Sequence, residues 1–304
     1  MVDNDNDRVS ILNLGYLGVE TPEPGAWAAY GSDIVGAQVV ENDRSVMLKI
    51  DERAWRIAVH PGDRVRLAYL GFEVQGPAEL RRAEAALNSA GVVVKRMSGA
   101  AAEERAVEEL LRFEDPAGNV LELYYGQFCD YTFHSPRGVS GFVTGTQGLG
   151  HTVIGVTDFD ASLSFYTDVL GFLVSDYMYQ GDAPTAFLRC GPREHTIALY
   201  QVRSDRDSRL QHFMLEVGEL DDVGIAYDLV QDSEAGVTMT LGRHTNDSVV
   251  SFYCRTPSPG IQMEYGWSGR QMRPNDAAVR MTKVDVWGHR IAKTGKSIND
   301  AIRK

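Results

Sequence analysis

Short runs rich in β-branched and aromatic residues recur along the chain between Gly and Pro punctuation. A few longer stretches carry the wider apolar spacing of an amphipathic helix. In the second half, "LGHTVIGV" reads as a strand, "DASLSFYTDVLG" as a helix, and "TAFLRCG" and "REHTIALYQV" as strands. A like unit follows, with strand "LQHFMLEV", helix "LDDVGIAYDLVQDS", and strands "TMTLGRHT", "VVSFYCRT" and "IQMEYGW". Asp160 or Ser162 is expected to cap the first helix, because its side chain can accept from the free N–H groups at a helix start. Gly171 is expected to end it, since glycine takes the left-handed turn at no steric cost.

The same pattern runs through the first half. "LGYLGVE" from Leu14 answers "LGHTVIGVT" from Leu149, and "RLAYLGFEV" from Arg66 answers "RLQHFMLEV" from Arg209. "ERAWRIAV" pairs with "PREHTIAL", and "GNVLE" ending at Glu122 pairs with "GIQME" ending at Glu264. Four matches in one order imply a duplicated domain. The predicted fold is α+β, two tandem domains, each of two βαβββ modules curled into a half-open barrel. The domains are placed at 1–135 and 136–304, with a Gly-, Ser- and Thr-rich linker over 127–147. Helices cover one sheet face and leave the other free to enclose something. Beyond Gly266 the chain turns polar and ends in the basic "RIAKTGKSINDAIRK", expected to fray or wrap the surface.

Composition narrows the classes. The 304 residues carry 42 acidic and 30 basic side chains, a formal net charge of -12, which disfavours a nucleic-acid partner. The acidic start "MVDNDNDRVS" lacks the apolar run of a signal peptide, and no stretch reaches the roughly 18 apolar residues of a membrane span. Cys129, Cys190 and Cys254 have no zinc-like spacing and read as packed, reduced thiols of a cytoplasmic protein.

The repeat also works as an internal control. His151 stands where the first half has Tyr16, and His212 where it has Tyr69, while glutamate occupies the fourth match in both halves, Glu122 and Glu264. A lone strand histidine is most often a hydrogen-bonded core residue. Two histidines replacing two tyrosines, with a carboxylate on a third strand, make instead the donor set of a two-His-one-carboxylate site with open positions. Fe(II) suits it, with Mn(II) the main competitor, and the first half is expected to hold no metal. His195 replaces Trp55, and His244 and Tyr253 fall on strands neighbouring that of Glu264. Two imidazoles and a phenol around open metal positions suggest oxygen chemistry with proton transfer.

These residues lie in motifs that resemble the type I extradiol catechol dioxygenases of the vicinal oxygen chelate superfamily, most closely those acting on 2,3-dihydroxybiphenyl. The motifs are "GLGHTVIGV", "DASLSFYTDVLGF", "RLQHFMLEV" and the long "LGRHTNDSVVSFYCRTPSPGIQMEYGW". The resemblance implies Fe(II) held by His151, His212 and Glu264, with His195 as the catalytic histidine beside the oxygen pocket. It implies that His244 and Tyr253 contact the catechol oxygens and that Asn246 and Asp247 support the pocket. Some members have His-His where this chain has Glu194-His195; Glu194 is given no role. His60, His134 and His289 are assigned no chemistry either. The expected partners are a catecholic substrate and O2, in a homo-oligomer. The alternatives are a steroid-derived catechol as substrate, an isomerase or lyase of the same superfamily, and a non-catalytic module that binds an aromatic molecule.

Overall fold

The structure, a computed structural model, describes residues 9–42, 45–130, 132–180, 183–202 and 210–292. The acidic start and the tail from residue 293 on lie outside the described residues. The first unit is β1 (Ile11–Thr21), α1 (Ala26–Ala29) continuing as a π turn over Tyr30–Val35, β2 (Gln38–Asn42), β3 (Ser45–Lys49) and β4 (Ile57–Pro61). The second is β5 (Arg66–Val74), α2 (Pro77–Ser89), β6 (Lys95–Met97), a further short helix α3 (Ala100–Arg105), β7 (Glu109–Glu114) and β8 (Val120–Tyr125). The third is β9 (His151–Val156), α4 (Phe159–Ser164) with a π turn over Phe165–Val169, β10 (Leu173–Gln180), β11 (Ala183–Arg189) and β12 (Ile197–Gln201). The fourth is β13 (Leu210–Val217), α5 (Leu220–Gln231), β14 (Val237–His244), β15 (Val250–Arg255) and β16 (Gln262–Trp267). Two short strands follow, β17 (Val279–Arg280) and β18 (Asp285–Trp287).

Four βαβββ units are therefore present, in two sheets. The first sheet runs β2-β3-β4-β1-β5-β8-β7-β6. The second repeats that order as β10-β11-β12-β9-β13-β16-β15-β14, with β17 added beside β10 and β18 beside β14. In each sheet the two units meet at their first strands, β1 against β5 and β9 against β13, both antiparallel. One apolar core runs behind both sheets, from Leu14, Trp27 and Phe72 through Phe172, Phe213 and Tyr265. Trp27 ties the halves, its ring against Phe213 and its Nε1 donating to Ser258 Oγ at 3.0 Å. No helix among the described residues is long and apolar enough to cross a membrane.

Three expectations need correction. The cap of α4 is Asp158, whose carboxylate accepts from Ala161 N at 3.0 Å. Asp158 still has extended backbone and can turn its side chain to the free N–H groups, whereas Asp160 is already in the first turn and Ser162 is buried inside the helix. Gly171 does take the left-handed turn, at φ 77°. The stretch after Gly266 is not a loose surface tail as far as it is described. β17 pairs with β10 and β18 with β14, so one segment joins the opposite edges of the second sheet. Only residues 281–284 separate the two short strands, and five peptide steps reach at most about 18 Å. The sheet must curl to bring its edges that close. His195, finally, lies not on a strand but in the turn that precedes β12.

Candidate active site

β9, β13 and β16 lie side by side at the centre of the second sheet. Met214 on β13 is level with both His151 and Glu264, and His212, two residues earlier, shares its face by strand alternation. His151 Nε2 is 3.3 Å from His212 Nε2 and 3.1 Å from Glu264 Oε2. His212 Nε2 is 3.4 Å from that same oxygen. Burial pushes both imidazoles down, so each is neutral near pH 7 and keeps a lone pair for a metal. Burial opposes a charge on Glu264, but the imidazoles of His151, His212 and His244 close around it outweigh burial and hold the carboxyl well below the usual carboxylate range. Ser251 Oγ also donates to its Oε1 at 2.6 Å. Two neutral nitrogens and an ionised oxygen converging on one point fit a divalent metal of the first transition row.

A cavity of about 400 Å³ opens over this cluster, and His195, His244 and Tyr253 stand in its wall. Tyr253 on β15 pairs directly with Glu264, and its hydroxyl is 2.8 Å from His244 Nε2. His244 ends β14, one strand further from Glu264 than expected, yet its Nε2 comes within 3.4 Å of Glu264 Oε1. Its Nδ1 is 2.9 Å from Asp285 Oδ1. Burial disfavours a charged His244, but Asp285 and Glu264 together hold its pKa well above the usual histidine value. Burial, reinforced by Glu264 and Asp247, keeps the Tyr253 phenol protonated. The His195 ring lies with its centre 3.9 Å from that of His151, and burial pushes it down to about 4. Asn246 and Asp247 occupy the turn between β14 and β15, where Asp247 Oδ1 accepts from Val249 N at 3.0 Å. Met178, Phe187, Met239 and Met281 supply apolar wall. Cys190 and Cys254 are thiols that burial pushes up to about 12, and Cys254 packs on Tyr30.

Two residues set aside in the sequence are part of this region. His289 is buried, with Nδ1 2.6 Å from Asp285 Oδ1 and its ring centre 4.0 Å from that of His244. Its position depends on the segment carrying β18, which no local pattern discloses. Glu194 is buried as well, with Oε2 2.5 Å from His195 Nδ1. The repeat held a signal for it, because Ala54 occupies the matching position beside Trp55.

The family profile described as Glyoxalase/Bleomycin resistance protein/Dioxygenase superfamily matches residues 148–265, and that of the dihydroxybiphenyl dioxygenase first domain matches 14–62. The chain is 43% identical over 290 residues to the biphenyl-2,3-diol 1,2-dioxygenase of Paraburkholderia xenovorans (strain LB400), covering 93% of this chain and 96% of that one. The chain belongs to the extradiol catechol dioxygenases. A second relative of this dioxygenase, the iron-dependent extradiol dioxygenase of Rhodococcus jostii (strain RHA1), is 38% identical over 92% of this chain and 97% of its own. The crystal structure of a halotolerant catechol dioxygenase superposes with a TM-score of 0.88 at 33% identity, over 93% of this dioxygenase and 96% of that chain. The region matched by the superfamily profile contains His151, His212 and Glu264 together.

Proposed function

We propose that this dioxygenase opens a two-ring catechol such as 2,3-dihydroxybiphenyl beside its two hydroxyls, using Fe(II) held by His151, His212 and Glu264. The observation that carries this reading is the convergence of those three donors at a cavity of about 400 Å³ walled by His195, His244, Tyr253 and apolar side chains. Biphenyl-2,3-diol stands in the name of the 43% relative and iron in that of the 38% relative, which supports both choices. Fe(II) at these donors supplies Lewis acidity toward the catechol oxygens and an electron path to dioxygen.

The protein's own groups bind the substrate and move its protons. Met178, Phe187, Met239 and Met281 hold the ring system. The Tyr253 hydroxyl, bonded to His244 Nε2, holds a catechol oxygen and the proton that remains on it. His195, neutral because it is buried, accepts a proton in the cavity and returns it as the O–O bond breaks. Both oxygen atoms enter the ring-opened product. Asp247 pins the turn that presents His244, and Asn246 reaches His195 through Glu194.

The test is oxygen uptake by anaerobically purified, Fe(II)-reconstituted protein given 2,3-dihydroxybiphenyl, with the spectrum followed for a yellow ring-opened product. Stoichiometric uptake that disappears in His212→Ala is the expected result. No uptake with this or smaller catechols, despite bound iron, would overturn the substrate class, and a steroid-derived catechol run in parallel shows where activity moves. Equal turnover after Mn(II) reconstitution would reassign the metal.

A further inference from the structure

Several contacts converge on Glu194. Its Oε2 is 2.5 Å from His195 Nδ1 and accepts from Asn246 Nδ2 at 3.2 Å, while its backbone oxygen accepts from Ser175 Oγ at 2.5 Å. Its carboxyl lies within hydrogen-bonding reach of that of Asp176, and both residues are buried. Glu194 Oε1 and Asp176 Oδ2 find no donor as carboxylates. One proton held between the two acids supplies the donor that both lack, and burial pushes each of them up to about 7. Toward His195 the chemistry has one solution. The proton shared with Asp176 lies on the Oε1 side and Oε2 already accepts from Asn246 Nδ2, so Oε2 faces the ring as an acceptor and the nitrogen there carries the hydrogen. Nε2, across the ring, is then left with its lone pair.

We infer that Glu194, held in place by Asp176 and Asn246, is the positioning residue of His195: it accepts from Nδ1–H and so fixes the tautomer in which Nε2 is the acceptor available to the cavity. This rests on the reading of His195 as the acid–base group. The device belongs to the second half alone, because the first has Ala54 and Trp55 at the same two places.

Metal-free protein labelled with 15N-histidine tests it, with the His195 signals identified by their loss in His195→Gln. The parent and Glu194→Gln, whose amide oxygen still accepts, are expected to show Nδ1–H. Glu194→Met and Glu194→Leu, two variants so that one folding failure does not remove the test, are expected to shift toward Nε2–H. After iron loading, kcat of the Met and Leu variants should fall by about 10-fold or more, with KM for 2,3-dihydroxybiphenyl within about 2-fold and iron content unchanged. Glu194→Gln should recover most of that loss. An unshifted tautomer in the Met and Leu variants overturns the inference, as does a loss shared by Gln or explained by iron content or KM. Full turnover by His195→Ala would instead overturn the role of His195, while the tautomer still reports whether Glu194 orients the ring.

Discussion

Glu122 and Glu264 occupy the same register position in the two sheets and keep different company. In the first half Tyr16, Gly71 and Glu122 are level on β1, β5 and β8, as His151, Met214 and Glu264 are on β9, β13 and β16. Tyr16 donates to Glu122 Oε2 at 2.7 Å, Arg105 Nε reaches it at 3.1 Å, and Arg112 Nε is 3.6 Å from the other oxygen. Arg105 arrives on α3, a helix with no counterpart between β14 and β15, and lies 3.9 Å over the Tyr69 ring. Rings fill the remaining space: Tyr16 stacks on Tyr124 at 4.6 Å and meets Trp55 at 5.0 Å. Gly71 makes room for this packing, since a Cβ there would fall 2.1 Å from the Tyr16 ring. The scaffold thus places a buried carboxylate in both halves. What answers its charge, guanidinium groups or imidazoles with a cavity above them, separates a filled interior from an open one.

Making the second half resemble the first should have the largest effect. The double variant His151→Tyr, His212→Tyr removes both nitrogen donors, and bound iron and oxygen uptake should fall together to background. Metal analysis beside an oxygen electrode would show it, and retained iron would break the correspondence between the halves. Next, His195→Ala should lower kcat by about 10²- to 10⁴-fold while leaving iron content intact; loss of iron in that variant would instead make His195 a ligand. In the first half, Arg105→Leu strips Glu122 of a buried partner and should cost about 3 kcal/mol in urea unfolding. Turnover of the surviving folded protein should be unchanged, and Glu122→Gln in the same chain should restore part of the stability.

A smaller contrast concerns pH. Asp176 and Glu194 are held up to about 7 by burial, against roughly 4 in an unfolded chain. The folded state therefore binds their protons more tightly, so this contribution is full at pH 4 and below and is lost as pH rises to about 7. Asp176→Asn should flatten that decline relative to the parent in paired unfolding curves. Smallest is the helix cap. Asp158→Ala should cost about 1 kcal/mol with no change in turnover, whereas α1 begins at Gly25 without a side-chain cap to lose.

Most of the architecture was legible because the chain repeats itself: the four units, their order and the three positions where Tyr16, Tyr69 and Trp55 give way to histidine. Register did the rest, since strand alternation places residues two apart on one face whatever the loops do. The sequence hid what depends on contacts between distant segments. His289 reaches Ser251 and His244 only because β18 pairs with β14. Glu194 meets Asn246 across a separation of 52 residues. α3, which supplies Arg105, is one short turn in an alanine- and glutamate-rich stretch with no partner pattern in the second half. The Asp158 cap lay two residues from the nearer expected position, within the usual play of helix boundaries.

The segment that joins β10 to β14 through β17 and β18 works as a ruler. A curled sheet open at both edges can widen or flatten as its side chains demand, but one tied across by four intervening residues has a set girth. Met281, Val284 and Asp285 from that tie, and His289 and Ile291 just after it, line the cavity. The length of residues 281–284 therefore limits how wide this cavity can open. A chain with this span lengthened would keep its ligands and acid–base groups and admit a wider ring system.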